Sequence, residues 1–417
     1  MILMQTRSAE SEKAWQDGVM VLCGSLDDVC AKTARPVGVF DERVCAFLDD
    51  VSRRLMKDKR AKAYPDVMTF GFFCRRGNIS KLAAKYPDEG RMGRGLVLHI
   101  APSNVPVNFA YTLVFGLLAG NSCVVKASSK DFEQVHIICD VMNDVLKDER
   151  FARLRAAICV VEYPRDRQDV TEQLSGICNA RVIWGGDQTI EAVRRAPLAP
   201  RAYDMAFADR YSLAVFSADA VLEAAEADGK RLAQLAQDFY NDTYLYDQNA
   251  CSSPRLICWM GDEAAVAGAK RAFWRAVYDN IKDRYPAEAV VAVDKLLAVC
   301  RTAVTIGGSR IEEMPDNRIM CVEVPKLSAE LPELRAAGGL YHEYRMDSLE
   351  PLADIVDEKY QTIAVYGVDA ARVRDFVIEH GLRGVDRIVP VGYTADMGLI
   401  WDGYDWIRSL SRIVALA

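Results

Sequence analysis

The chain has 417 residues, of which 51% are apolar and 27% charged, and a net charge of −7. That length calls for two or more domains around a sizeable core, and an acidic balance without a Lys/Arg block argues against a nucleic-acid partner. The longest apolar stretch, Val105 to Ala119, is interrupted by Asn108 and Thr112 and falls short of a membrane span.

Met1 to Arg7 lacks a basic region followed by an apolar core, so it does not read as a secretory signal. The 12 cysteines are scattered without CxxC pairs. That pattern suits reduced thiols in a cytoplasmic protein and neither a disulfide framework nor a zinc site. The four histidines, His99, His136, His342 and His380, show no metal-ligand spacing, and no metal is expected.

Residues 1–90 read as an N-terminal segment packed on the domain that follows. Val44, Phe47, Leu48, Val51 and Leu55 recur at helical spacing. Lys57 to Lys62 is a short basic run on the solvated edge of that helix, and Pro65 to Phe73 reads as β-prone. From Arg94 the pattern becomes regular. β-rich runs at 96–100, 123–126, 158–162, 181–184 and 211–216 alternate with helical patterns at 106–119, 131–146, 166–174 and 187–195. Such alternation implies βαβ units and a parallel sheet, whose ligands bind at the carboxyl ends of the strands.

Three turns at those ends stand out. Ala101-Pro102-Ser103-Asn104-Val105-Pro106 is stiffened by a proline on each side of Asn104. Lys126-Ala127-Ser128-Ser129-Lys130 sets a cation and hydroxyls at a strand end. Gly185-Gly186 precedes a helix, which suits close backbone approach to a phosphate. The G-x-G-x-x-G fingerprint is absent, so a dinucleotide would be held in another way.

A charged, Ala-rich helix pattern runs from Val221 to about Gln237, and Asp238 to Tyr246 reads as polar, aromatic and irregular. Asp247-Gln248-Asn249-Ala250-Cys251-Ser252-Ser253-Pro254 then leads into a short strand, Arg255 to Trp259. Cys251 on such a loop is a candidate nucleophile, since amides and hydroxyls beside it can stabilise charge. A free cysteine is otherwise a small buried hydrophobe. Helices are expected at 264–281, 286–301 and 370–380, and a strand at 360–367. The tail holds two compact motifs, Gly384 to Gly392 and Ile400 to Asp405.

His99–Ala110, Gly120–Lys130, Asp247–Pro254 and Gly384–Gly392 together resemble motifs of the aldehyde dehydrogenase superfamily, and more closely its acyl-CoA reductase branch, the LuxC family. The likeness covers about residues 90 to 412 in one order. It implies an α/β protein of aldehyde dehydrogenase-like fold, with a parallel-sheet dinucleotide-binding domain at 91–225 and an α/β catalytic domain at 226–380. The tail, 381–417, would return to the cleft or to an oligomer contact.

The resemblance also implies roles. Cys251 would attack an acyl thioester, and Asn104 would donate its side-chain amide to the oxyanion. Lys126 would hold ribose hydroxyls, with Ala101, Pro102, Ser128, Ser129, Gly185 and Gly186 completing the cofactor site and Glu350 steadying the nicotinamide ribose. A helix-capping or solvated role for Glu350 stands beside that one, as a core role for His99 stands beside a general-acid one. Asp247, Asn249 and Ser252 would shape the nucleophile loop. Trp401 and Tyr404 read as core or subunit-contact aromatics before an acyl pocket.

Two departures refine the expectation. Where the superfamily commonly has a glutamate that disfavours a 2′-phosphate, this chain has Ser129 followed by Lys130, which favours NADPH, with NADH the alternative. Where hydrolytic members have a water-activating glutamate, it has Ala206. The expected reaction is NADPH-dependent reduction of an acyl-CoA, or of an acylated partner protein, to an aldehyde through an acyl-cysteine. An acyl-protein synthetase is an implied partner, and a homo-oligomer is expected. An aldehyde dehydrogenase making free acid, or a non-catalytic scaffold subunit of a multienzyme complex, are the alternatives.

Overall fold

The computed structural model describes residues 14–87, 89–227, 229–286 and 288–416; the reading of Met1 to Arg7 lies outside them. Leu96 to Ile100 are all buried, as in a strand covered on both faces. This strand is central in a six-stranded sheet made of β1 (Met20–Gly24), β2 (Leu96–Ile100), β3 (Ser122–Lys126), β4 (Ile158–Glu162), β5 (Ala180–Trp184) and β6 (Asp204–Phe207). The spatial order is β1-β4-β3-β2-β5-β6, parallel except for β1. The chain runs outward from β2 through β3 to β4, then reverses to β5 on the other side of β2. The carboxyl ends of β2 and β5 therefore flank a topological switch point, where open sheets bind ligands.

A second sheet has seven strands: β7 (Tyr211–Ser217), β8 (Pro254–Met260), β9 (Arg310–Ile311), β10 (Met320–Glu323), β11 (Leu340–Met346), β12 (Tyr360–Tyr366) and β13 (Arg387–Pro390). Their order is β9-β10-β11-β8-β7-β12-β13, parallel except for β9. One compact unit holds the described residues up to Ala208 and those from Tyr404; the other spans Asp209–Gly403. In the first unit the chain's last strand, Ser411–Ile413, pairs antiparallel with Arg91–Gly93, and Trp406 stacks on Phe207 with ring centroids 4.8 Å apart.

Three expectations are corrected. β7 joins the second sheet, not the first, because its partners are β8 and β12; a buried, mostly apolar strand carries no mark of which sheet it enters. Pro65–Phe73 is a helix, with Pro65 at its first position and Val67, Phe70 and Gly71 buried on one side. Its aromatic and β-branched content misled, whereas a first-turn proline is a helix-start signal. Asp238 to Tyr246 is also not irregular. A helix, Lys230–Asp242, buries Leu235, Ala236, Phe239 and Asp242 and passes into a single tight turn, Tyr244–Tyr246.

Candidate active site

In the second unit, the tight turn delivers the chain to Asp247 and Gln248, which carry φ values of 51° and 58°. Two consecutive non-glycine residues in the left-handed region hold the backbone at a cost of the order of 1–3 kcal/mol each, so the surroundings must fix them. Gln248 supplies much of that. Its buried side chain donates to the Pro254 carbonyl (3.0 Å) and the Leu340 carbonyl (3.1 Å), and accepts from the Gly339 amide (2.9 Å). Gly339 has φ 90°, and a Cβ there would lie 2.2 Å from the Arg318 carbonyl oxygen. The buried Arg255 guanidinium binds the carbonyls of Gln248 and Ala336. Three residues beyond Gln248, Cys251 is presented with its carbonyl held by the Ser212 hydroxyl at 2.7 Å.

Nine of the twelve cysteines are buried, leaving Cys30, Cys251 and Cys300 within reach of solvent. The Cys251 sulfur accepts a hydrogen bond from Gln361 Nε2 at 3.1 Å, and the same nitrogen donates to Asp402 Oδ1 at 2.6 Å. Gln361 Oε1 accepts from the Thr362 hydroxyl at 3.1 Å, which fixes the amide's orientation. Burial, aided by the Asp402 charge and opposed by Gln361 and Arg210, pushes the Cys251 thiol up to about 11. Burial likewise pushes the Asp402 carboxyl up to about 6. At neutral pH Cys251 is therefore a thiol facing a carboxylate through one shared amide.

Neither Gln361 nor Asp402 was among the residues singled out by sequence. Gln361 is a polar residue, beside Thr362, in an otherwise apolar buried strand, and Asp402 has φ 47° inside the compact Ile400 to Asp405 motif. Those were the available signals.

In the first unit, the three singled-out turns leave one edge of the sheet. Ile100 pairs in register with Lys126 on one side and Ile183 on the other, and the Ala101 amide donates to the Lys126 carbonyl at 3.0 Å. Ala101, Pro102, Ser128 and Gly185 are thus neighbours of one edge. The Lys126 ammonium stands 4.9 Å over the Tyr163 ring; burial lowers its pKa, as does Arg165, against Glu162. Ser128 turns its hydroxyl back to the Lys130 amide at 3.1 Å, while Ser129 and Lys130 are exposed. Gly186 caps the helix Asp187–Arg194 without a side-chain hydrogen bond, and no atom lies within 4 Å of where its Cβ would be. Helix amides left so are suited to a phosphate. Asn104 is exposed on the proline-stiffened loop of this unit.

His99 is fully buried in β2, with Nδ1 2.7 Å from the Thr112 hydroxyl, and burial pushes its pKa down to about 3. It is a neutral core residue. Glu350 is exposed in the second unit, with Oε2 3.1 Å from His380 Nε2. Ala206 lies in β6, whose carboxylate, Asp204, is held in the fork of Arg181 at 2.7 and 3.1 Å. Trp401 is buried under Arg387, 4.2 Å from its ring centroid, and Tyr404 packs edge-on against Phe207. Among the described residues no cluster of His, Cys, Asp and Glu could hold a metal, and no helix is long and apolar enough to cross a membrane.

Comparison with known proteins places this geometry. Residues 81–301, just over half the chain, match the family described as acyl-CoA reductase (LuxC). The long-chain acyl-protein thioester reductase of Vibrio harveyi is 25% identical over 331 residues, covering 77% of this chain and 63% of that protein. The protein of the same description from Photorhabdus laumondii is 24% identical over 332 residues, with the same coverage. The chain thus spans somewhat under two thirds of the length of these curated relatives. Among solved structures, the NAD-dependent benzaldehyde dehydrogenase of Corynebacterium glutamicum superposes with a TM-score of 0.62 at 14% identity, covering 92% of this chain and 87% of that one. Aldehyde dehydrogenase 21 from Physcomitrella patens gives 0.64 at 13% identity, covering 97% and 90%. The fold is that of the aldehyde dehydrogenases.

Proposed function

The chain belongs to the acyl-CoA reductase (LuxC) family, and from that premise we propose that it reduces an acyl thioester to an aldehyde through an acyl group carried on Cys251. The observation that carries the proposal is the loop itself. A strained turn pinned by the Gln248 side chain presents a partly exposed cysteine whose sulfur accepts a hydrogen bond from the Gln361 amide. The intact set of Cys251, Asn104 and Lys126 argues against a non-catalytic scaffold subunit.

In this reading the Cys251 thiol loses its proton as the sulfur attacks the thioester carbonyl. The new S–C bond forms, the carbon–sulfur bond to the carrier breaks, and the departing thiolate takes up the proton that Cys251 lost, leaving as the carrier's thiol. Cys251 N–H and the Asn104 side-chain amide are the proposed oxyanion donors, each of which is typically worth about 3 kcal/mol in the transition state. Asp402, its carboxyl pushed up to about 6 by burial, changes protonation near neutrality, and Gln361 holds both it and the sulfur in register. Ala206 stands where a water-activating carboxylate would be expected, and the one carboxylate of β6, Asp204, is clamped by Arg181. That favours reduction over release of free acid.

A nicotinamide cofactor fits the first unit's edge, where Lys126, Ser128, Ser129, Gly185, Gly186, Ala101 and Pro102 gather, and when bound it would supply the hydride that releases the aldehyde. Exposed Ser129 and Lys130 favour NADPH, since neither repels a 2′-phosphate. Glu350, which pairs with His380, is the proposed partner of the nicotinamide ribose. The relatives' description as acting on long-chain acyl-protein thioesters suggests an acylated protein as the donor, with acyl-CoA as its small-molecule counterpart, in the cytoplasm.

The test is NADPH oxidation with acyl-CoAs of graded chain length, for wild type and Cys251→Ala, with the aldehyde trapped. Turnover by wild type alone supports the proposal. Equal rates from both proteins would refute it, and turnover only with an acylated carrier protein would identify the donor.

A further inference from the structure

The helix Ala289–Thr305 of the second unit is apolar on both faces. Its inner face is fixed by polar anchors: Lys295 donates to the carbonyls of Gly338 (2.7 Å) and Asn317, and the Thr302 hydroxyl lies 2.9 Å from His342 Nε2. Ala298 and Val299 are buried between those anchors. The face turned outward is therefore determined, and a solvated helix would place polar residues there. Instead Val290, Val293, Leu297, Cys300 and Val304 line it, with Leu297 58% and Val304 87% exposed. Their spacing is 3, 4, 3 and 4, the seam of a heptad repeat. The only charged side chains on the outer half are Asp294 and Arg301, one heptad apart and on the same flank of that seam.

This pattern is self-complementary. If two such helices meet antiparallel, Val293 layers on Val304 of the second copy and Leu297 on its Cys300. The two-fold axis then repeats both layers. The same register sets Asp294 beside Arg301 of the second copy, twice, on one flank, and Leu296 beside Ala303 on the other. A parallel pairing would set Asp294 beside Ala289 and Arg301 beside Leu296 of the second copy, leaving both charges without a partner. A membrane surface is a poorer occupant, because interfacial helices border their apolar face with several cations, and here Arg301 stands alone.

We propose that this helix is a homodimer contact, in which it pairs antiparallel with its counterpart from a second copy of the chain. Exposed apolar patches of this kind mark interaction sites, and one acid and one base on the same flank, each facing the other's counterpart, select a second copy over an unlike partner.

Sedimentation velocity at micromolar concentration tests it. Wild type is expected to sediment as a dimer or an even multiple, and Leu297→Glu to halve that mass with an unchanged circular-dichroism spectrum. Asp294→Arg and Arg301→Asp are each expected to weaken association about tenfold or more, and the double variant to restore it. An unlike partner would not produce that rescue. As a measurement that survives misfolding of any charged variant, Leu297→Cys should cross-link to native Cys300 of the second copy under mild oxidation. A monomeric wild type, an unchanged mass for Leu297→Glu, or no rescue in the double variant would each overturn the proposal. Spontaneous linkage between two Cys300 residues in wild type would show the parallel arrangement and overturn it as well.

Discussion

Gln361 Nε2 lies 3.1 Å from Cys251 Sγ and donates to it, while its second hydrogen is given to Asp402 at 2.6 Å. One primary amide has two N–H groups, and here they hold a thiol and a carboxylate to a common point. The carboxylate raises the thiol's pKa and the amide donor lowers it. The two neighbours therefore act on the sulfur with opposite signs.

That opposition predicts opposite variants. Asp402 is charged above about 6, so at pH 8 Asp402→Asn removes a negative charge facing the sulfur. The thiolate fraction rises, and iodoacetamide should label Cys251 faster, by about tenfold if the thiol moves one pKa unit. Gln361→Met removes the donor and should slow labelling at the same pH. The measurement is the pH profile of labelling from 6 to 10. Two variants that shift the profile the same way would mean that both residues merely fill space.

The nucleophile loop should depend on Gln248. In Gln248→Ala the Pro254 and Leu340 carbonyls and the Gly339 amide lose their buried partner. Each unsatisfied group costs about 1–3 kcal/mol, and the left-handed pair at Asp247 and Gln248 loses what fixes it. We expect a loss of at least about 3 kcal/mol in urea unfolding and a fall in turnover exceeding what the unfolded fraction explains. Full activity in this variant would show that the loop holds its shape without the side chain.

Much of this was legible in the sequence, for a physical reason. Strands covered on both faces leave near-continuous apolar runs, so β2, β3, β4 and β5 and their following turns announce themselves. Cys251 could be placed on a loop because Ser-Ser-Pro bounds the strand that follows. The choice of strand partners was not legible, as β7 shows. Nor was the Gln361–Asp402 pair, since Gln361 is 110 positions from Cys251 and only register along the second sheet brings it to the sulfur. Asp242 was hidden likewise: a carboxylate at the end of an apolar helix face reads as solvated until the loop that covers it is known.

Ser129→Glu tests the proposed cofactor preference. The position is exposed at the end of β3, next to Lys130 and three residues past Lys126. A carboxylate there would repel a 2′-phosphate and could accept from a 2′-hydroxyl. The ratio of kcat/KM for NADPH to that for NADH should fall tenfold or more, equivalent to about 1.4 kcal/mol. An unchanged ratio would mean that this turn does not meet the adenine ribose.

Asp242 offers a test by pH. It is fully buried, and it accepts the Gly392 amide at 2.6 Å and the Thr394 amide at 2.9 Å. Burial nonetheless dominates and pushes its carboxyl up to about 7. A carboxyl raised in the folded state binds its proton more tightly there than in the unfolded chain, so its contribution is fully present near pH 4 and is lost as pH rises through 7. Asp242→Asn removes that titration. Asparagine has one oxygen acceptor for two amide donors, and its own NH₂ would face the second. At pH 5 the variant should be less stable by about 1–3 kcal/mol, the cost of one buried unsatisfied donor. As pH rises to 8 the wild type carries a charge that burial penalises, and the variant does not, so the gap between them should narrow by an amount on the order of 2 kcal/mol. Urea unfolding of both proteins at intervals from pH 5 to 8 measures the gap directly. A gap that widens toward pH 8 would mean that the two amide donors stabilise the carboxylate by more than its burial costs, reversing the order of effects argued for this residue.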